Sequence, residues 1–406
     1  MKPIERVMVM VGVVVVAACA TEAPAPPVGV TDRAALHACI NGSRDATRRS
    51  VTLTACGIAI ESHSLTRGEH IKVLKMRGSI YVIGGEYQSA IADYTLVVRD
   101  DPRDDVALKS LGDVFYHVGK CASSIPYYDR AIRVDPKYVE ALSARGDAYA
   151  CVGNEQSAIA DYTQAIALEP RNPQLYVKRS HAYEETGQVE PAIADFTAAI
   201  SLKPRAATYL ARGRLYLAQG DTDLAVQDYS SALRDEPRNS EALYRRGHIY
   251  FDQQDYSAAI ADFDQAVQIN HRFAAALDAR GDAYVRESQN DQALQDYSRA
   301  IAIEPRLAVA YEHRARLYNQ MGEYDQAIQD YSRAFSLMPD QVGALVGRGK
   351  AYMSSGQYAS AIRDFTTAAQ MAPGNRDAAQ DLRQANLEKS KQDAARSISV
   401  ESNVSN

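Results

Sequence analysis

From residue 71 to residue 375, apolar and small side chains recur with a period of 34 residues, and inside each period they fall at helical spacing. Pro102, Pro136, Pro170, Pro204, Pro237, Pro305, Pro339 and Pro373 mark the period, with His271 in the one vacant place of the series. One step, from Pro204 to Pro237, is a residue short. The missing residue falls just after Pro204, in a connection where a deletion breaks no helix. If each proline takes the thirty-second place, repeats begin at Ile71, Asp105, Val139, Pro173, Ala206, Ser240, Ala274, Ala308 and Val342.

Within this frame the eighth place is always small: Gly78, Gly112, Gly146, Ser180, Gly213, Gly247, Gly281, Ala315 and Gly349. The eleventh is aromatic throughout, the twentieth is Ala in all but Ser124, the twenty-fourth is Tyr or Phe, and the twenty-seventh is Ala in all but Val97. Steps of four and three from place twenty to twenty-seven lay one stripe along a second helix. The small eighth place admits that helix closely against the first. Gly at the fifteenth place, as in Gly85, Gly119, Gly153, Gly187 and Gly356, breaks the pair where the chain must turn, with Gln254 and Ser288 standing in for it in two repeats.

A pattern of small, aromatic, Ala, aromatic, Ala and Pro at period 34 resembles the tetratricopeptide repeat, and the period separates it from longer helical-pair units. The resemblance covers residues 71–375. The family's first-helix Trp is here Leu or Tyr, as at Leu142 and Tyr311. The fold implied is all-α: a solenoid of about nine antiparallel helix pairs forming a right-handed superhelix, its concave groove lined by first helices at places 2, 5, 9, 12 and 13.

A second internal signature is Arg at the seventh place with Asp sixteen residues later, present together in eight repeats: Arg77 and Asp93, Arg145 and Asp161, Arg179 and Asp195, Arg212 and Asp228, Arg246 and Asp262, Arg280 and Asp296, Arg314 and Asp330, Arg348 and Asp364. The second repeat replaces both, with Leu111 and Tyr127. The two places are equidistant from the turn, so an antiparallel hairpin sets them face to face as a structural ion pair. An Asp already neutralised by Arg makes a poor catalytic base.

Outside the array, Lys2 and Arg6 precede an apolar run from Val7 to Ala18 and then a Pro-rich stretch. This reads as an export signal over residues 1–18, too short to span a bilayer as a helix. Its end, Val16 to Cys19, resembles the lipobox of bacterial lipoproteins, which implies lipid attachment at Cys19 and a linker over 19–31. Cleavage without lipidation is the alternative. Residues 32–70 are expected to hold a degenerate leading half-repeat with one helix around Val51 to Ala59. Residues 375–396 read as a polar capping helix begun by Asn375, and 397–406 as a disordered tail.

Four cysteines remain in a chain read as exported, where disulfides persist. Cys121 and Cys151 each lie fifteen residues from Pro136, on opposite sides of one turn, which antiparallel packing brings together. Cys39 and Cys56 then pin the leading segment; four free buried thiols are the other reading. No CxxC spacing points to zinc, the eight His scatter over unrelated places, and no catalytic motif appears, so neither metal, cofactor nor enzymatic activity is expected. The 25 Tyr beside 7 Phe and no Trp are one repeated position copied, and the net charge of −6 with no basic run disfavours nucleic acid as a partner.

What remains is a surface for other proteins. The ninth place reads Ser79, Asp113, Asp147, His181, Arg214, His248, Asp282, Arg316 and Lys350, variable where the core places repeat, and these are the groove candidates. Places five and nine give Lys75 with Ser79 and Lys109 with Asp113, so the Lys and Asn clamp of chaperone-binding family members is not assembled. The expectation is a non-enzymatic scaffold, lipid-tethered in the periplasm, that holds peptide segments or protein surfaces in its groove. The alternative is a self-associating structural lipoprotein.

Overall fold

The computed structural model describes residues 32–42, 48–62, 64–374 and 376–404, and every regular element among them is an α-helix. The amino-terminal apolar run, Cys19, the linker through residue 31 and Asn375 lie outside the described residues. The chain divides into two compact units, Met1–Pro170 and Arg171–Asn406.

The first unit holds α1 (Asp32–Ile40), α2 (Arg49–Glu61), α3 (Arg67–Gly84), α4 (Tyr87–Asp100), α5 (Asp105–His117), α6 (Cys121–Val134), α7 (Val139–Cys151) and α8 (Glu155–Leu168). The second holds α9 (Pro173–Glu185), α10 (Val189–Leu202), α11 (Ala206–Gln219), α12 (Thr222–Asp235), α13 (Ser240–Asp252), α14 (Tyr256–Ile269), α15 (Ala274–Arg286), α16 (Asn290–Ile303), α17 (Ala308–Gln320), α18 (Tyr324–Leu337), α19 (Val342–Ser354), α20 (Tyr358–Met371) and α21 (Arg376–Val404). Within each unit, neighbours in sequence pack as helix hairpins, and first helices of successive repeats touch, as α5 with α7 and α15 with α17.

The repeating residues explain the hairpin. In the third repeat a Cβ on Gly146 would sit 2.6 Å from the ring of Tyr162, so a hydrogen at the eighth place is what lets the buried aromatic at the twenty-fourth lie across the first helix. The Ala stripe is wholly buried, for example Ala158, Ala225 and Ala293 at 0% exposure. The turn between the helices needs a left-handed residue at the fifteenth place. Gly153 supplies it at φ 75°, and Gln254 and Ser288 are forced into the same region at φ 65° and 61°. Each second helix ends because the residue before proline is held extended, as Asp135 is at φ −126° and ψ 100°. Asn270, which precedes His271, keeps φ −121° and ψ 91°, so the repeat holds this path where the proline is missing.

The shortened connection after Pro204 leaves Arg205 at the start of α11 with no side-chain cap. Asp235, at the end of α12, takes over: its Oδ2 accepts from the Ala206 N–H at 2.7 Å. Such a cap is worth about 1 kcal/mol.

Both ends of the array depart from the expected layout. The leading segment carries two helices where one was expected, because α1 presents Ala35, Leu36 and Cys39 to Ala55, Cys56 and Ala59 of α2, and Val73 of α3 closes that small core. So short a helix leaves only three apolar contacts in the sequence, too few to show a period. The closing helix runs to Val404, past residue 396 where a tail was expected; its Ala378 and Ala385 are buried against Leu345, Ala368 and Phe365. No helix among the described residues is long and apolar enough to cross a membrane.

Candidate functional site

The Arg at the seventh place does more than close its own hairpin. Arg145 Nε donates to Asp161 Oδ2 at 2.8 Å and its Nη2 to Oδ1 at 2.6 Å, a two-pronged pair. The same pairing joins Arg77 to Asp93, Arg179 to Asp195, Arg212 to Asp228, Arg246 to Asp262, Arg280 to Asp296, Arg314 to Asp330 and Arg348 to Asp364. The remaining nitrogen, Nη1, reaches back to the preceding repeat. It meets Asp129 from Arg145, Thr197 from Arg212, Ser230 from Arg246, Asp264 from Arg280, Ser298 from Arg314 and Ser332 from Arg348. One guanidinium therefore fixes both the hairpin and the stacking of that hairpin on the last. The Asp hydrogen bond holds the Arg145 guanidinium above its ordinary range, against the burial that opposes it. These back-reaching partners occupy the twenty-fifth place, which is Ser, Thr or Asp in all nine repeats; that restriction was the available signal.

In the second repeat, where Leu111 and Tyr127 replace the pair, the Tyr127 ring stacks on Phe115 with centroids 5.2 Å apart. The Sγ atoms of Cys121 and Cys151 meet at 2.00 Å, tying α6 to α7, and those of Cys39 and Cys56 meet at 2.05 Å, tying α1 to α2.

The nine ninth-place candidates fall into two groups. Asp113, Asp147 and Asp282 accept hydrogen bonds from the buried hydroxyls of Tyr128, Tyr162 and Tyr297 at 3.0, 2.8 and 2.6 Å, so they serve the aromatic stripe of their own repeats. Burial, reinforced by the facing carboxylate, pushes these phenols far up. His248 is likewise packed, edge-on to Tyr244 and Phe263 with centroids 4.5 and 5.3 Å away. Ser79 donates to its own helix at Met76 O. The other four present half-exposed charge or imidazole: His181 and Arg214 both engage Glu184, Arg316 lies 3.6 Å from Glu312, and Lys350 3.6 Å from Asp381. Lys75 and Lys109, at the fifth place, are held by Asp104 and Asp113.

Helices α9, α10, α11 and α13 line a cavity of about 350 Å³ in the second unit. Val177, Phe196 and Leu210 give it an apolar floor; Arg214, paired with Glu184, and Arg245, paired with Glu241, form a polar rim with His181. Tyr229 lies within electrostatic reach of Arg214, Arg245 and Glu241, and its buried hydroxyl has no hydrogen-bond partner. The sequence explains why. In the repeats with Asp at the ninth place that residue accepts the tyrosine's hydrogen bond, and in the fifth repeat the place is Arg214. Arg245 and Tyr229 were not among the sequence candidates, because neither breaks the repeat pattern on its own.

In the first unit, a cavity of about 440 Å³ is lined by Ile40, Lys72, Lys75, Met76, Ser79, Tyr94, Val106 and Ser110. Its lysines include Lys75, already engaged by both oxygens of Asp104. A third constellation joins α15 to α17: Asp278, Asp282 and His313 converge into a metal-type cluster that no sequence spacing announces. Burial alone would lower the His313 pKa, but the hydrogen bond to Asp278 and the charges of both carboxylates outweigh it and raise it.

Comparison with known proteins bears on the repeats directly. Family models described as tetratricopeptide repeat or TPR repeat match residues 139–172, 173–205, 210–276, 281–322, 315–356 and 342–375, together more than half of the chain. Among solved structures, a tetratricopeptide repeat protein from Parabacteroides merdae is 26% identical over 61% of this chain and 98% of its own, with a TM-score of 0.47. A structure of MamA protein is 27% identical over 43% of this chain and 96% of its own, at TM-score 0.40. Yeast Tom70 is 16% identical over 90% of each chain, at TM-score 0.42. No curated protein matches.

Proposed function

Because the chain belongs to the tetratricopeptide-repeat family, we propose that it is a protein-binding scaffold whose second unit grips an extended segment by an acidic side chain flanked by an apolar one. The observation that carries this reading is the cavity that sets Arg214 and Arg245 beside His181 over Val177, Phe196 and Leu210. A carboxylate brought between the two guanidiniums takes them over from Glu184 and Glu241, their partners within the chain. An adjoining apolar side chain covers the floor. Charge-assisted contacts of this kind are worth about 1.5–3 kcal/mol each, enough to select Glu over Gln.

The apolar run ending in Cys19 supports placing this scaffold outside the cytoplasm, held to a bacterial envelope membrane by lipid. Acyl labelling of the wild type beside Cys19→Ser tests the anchor, and equal labelling of the two removes it.

A displayed peptide library, selected in parallel on the wild type and on Arg214→Glu/Arg245→Glu, tests the binding site. The wild type is expected to enrich Asp or Glu next to a large apolar residue, and the variant to lose that preference. Arg363→Glu, on the exposed side of α20, serves as the charge control. Enrichment without acidic residues, or the same peptides from both proteins, overturns the site. Recovery of the chain's own segments points instead to self-association.

A further inference from the structure

We infer that Asp278, Asp282 and His313 form a binding site for a divalent transition-metal ion of the Zn²⁺ or Mn²⁺ class, which ties the seventh repeat to the eighth. The site is separate from the His181–Arg245 cavity and does not depend on its role.

Asp278 and Asp282 stand one turn apart on α15, and His313 comes from the adjoining first helix, α17. His313 Nδ1 lies 3.1 Å from Asp278 Oδ2 and 3.2 Å from Asp282 Oδ2. One donor atom from each residue lies within 4.8 Å of the other two. Zinc holds nitrogen and oxygen ligands at about 2.0–2.2 Å, so neighbouring ligand atoms around it are roughly 3–4 Å apart. The nitrogen already stands at that spacing from both oxygens, and a small side-chain adjustment of the carboxylates completes the set.

Charge balance gives a second, independent reason. Asp278 is only 7% exposed, and its neighbour Asp282 is half-buried. Even a protonated His313 leaves these two carboxylates with a net negative charge. Arg316, the cation of the same helix that acts on them, has a side chain 55% exposed that leans toward Glu312. A divalent ion with neutral imidazole brings the cluster to zero, and buried charge is tolerated when it is paired or metal-bound. Asp282 is also oriented as metal-binding carboxylates usually are: its Oδ1 accepts from the Tyr297 hydroxyl at 2.6 Å, which turns Oδ2 toward His313.

The repeat architecture does not explain the trio. The equivalent residues of the sixth and seventh repeats are Tyr244, His248 and Ala279, and those of the eighth and ninth are Glu312, Arg316 and Gly347. Among the described residues, this junction alone places three such donors together. One imidazole nitrogen and two carboxylate oxygens suit zinc or manganese better than copper(I), which wants sulfur, or calcium, which wants oxygen alone.

The experiment is calorimetric titration of Zn²⁺ and Mn²⁺ into untagged, chelator-stripped full-length chain, with visible absorption of Co²⁺ as a report on ligand geometry. The expected result is one ion per chain. Affinity should fall at least about tenfold in Asp282→Asn, which keeps an acceptor for Tyr297, and again in His313→Gln. His37→Gln, on α1, should bind as the wild type does. Metal should raise the thermal midpoint of the wild type more than that of either site variant, and a variant that folds poorly is recognised by its metal-free melt. No stoichiometric uptake by the wild type overturns the site, as does uptake undiminished in both variants.

Discussion

The ring of Tyr331 leans on the backbone of Gly347, one repeat further along, so closely that a Cβ there would overlap it. In seven repeats the corresponding ring rests over glycine at the eighth place of its own hairpin; here that place is Ala315, whose methyl takes the room. Gly347 at the sixth place gives it back. Gly347→Ala should destabilise by about 1–3 kcal/mol through overpacking, although alanine is the better helix former by about 1 kcal/mol. Ala315→Gly should rescue it. A double-mutant cycle by urea unfolding checks this, and strictly additive changes would show that the two sites do not share the ring.

Gln254 and Ser288 hold the left-handed turn that glycine holds in the other seven repeats. The left-handed conformation costs a side-chain-bearing residue roughly 1–2 kcal/mol. Gln254→Gly and Ser288→Gly should each stabilise the chain by about 1 kcal/mol, while Gly153→Ala should cost as much. Denaturant midpoints of the three variants give the signs directly.

Asp296 is 3% exposed and takes a hydrogen bond from Arg280 on each oxygen, with Arg299 further off at 3.9 Å. Arg280→Leu alone should cost about 3–5 kcal/mol by stranding a buried carboxylate. The second repeat contains nature's own repair, Leu111 with Tyr127 stacked on Phe115. Arg280→Leu/Asp296→Tyr, with Tyr284 in the place of Phe115, should therefore recover most of the loss. If the double variant is no more stable than the single, the pair is needed for more than charge balance.

His248 has its pKa lowered, chiefly by burial and also by the charge of Arg245, with Asp252 and Asp278 opposing. A depressed histidine contributes stability above its unfolded pKa, about 6.5, and loses it as pH falls through the folded value. Between pH 8 and pH 5 the wild type should lose more thermal stability than His248→Gln. Parallel melting curves would show that the ring picks up its proton equally in both states.

Much of this fold is legible in the sequence because each hairpin contact recurs at one spacing. Glycine under the ring, as Gly146 under Tyr162, recurs in seven repeats and Arg on Asp, as Arg145 on Asp161, in eight, which makes the spacing plain. The contacts that escape are those between hairpins or those made once. Arg145 with Asp129 joins two repeats, and its signal was a mild restriction to short polar residues. Asp278 with His313 spans 35 residues at a single junction, so periodicity is blind to it. The ninth place carries a second constraint that its variability hides: Asp113, Asp147 and Asp282 each stand over a tyrosine and accept its hydrogen bond.

The Cys121–Cys151 link also sets how far the chain can be drawn out. A stack in which each hairpin touches only its neighbours peels under tension one hairpin at a time. The 30 residues between the two sulfurs are shielded from that pull, which at roughly 3.4 Å per residue withholds about 100 Å of reach. Reducing that bond removes the shield and leaves the span as free to peel under load as any other hairpin.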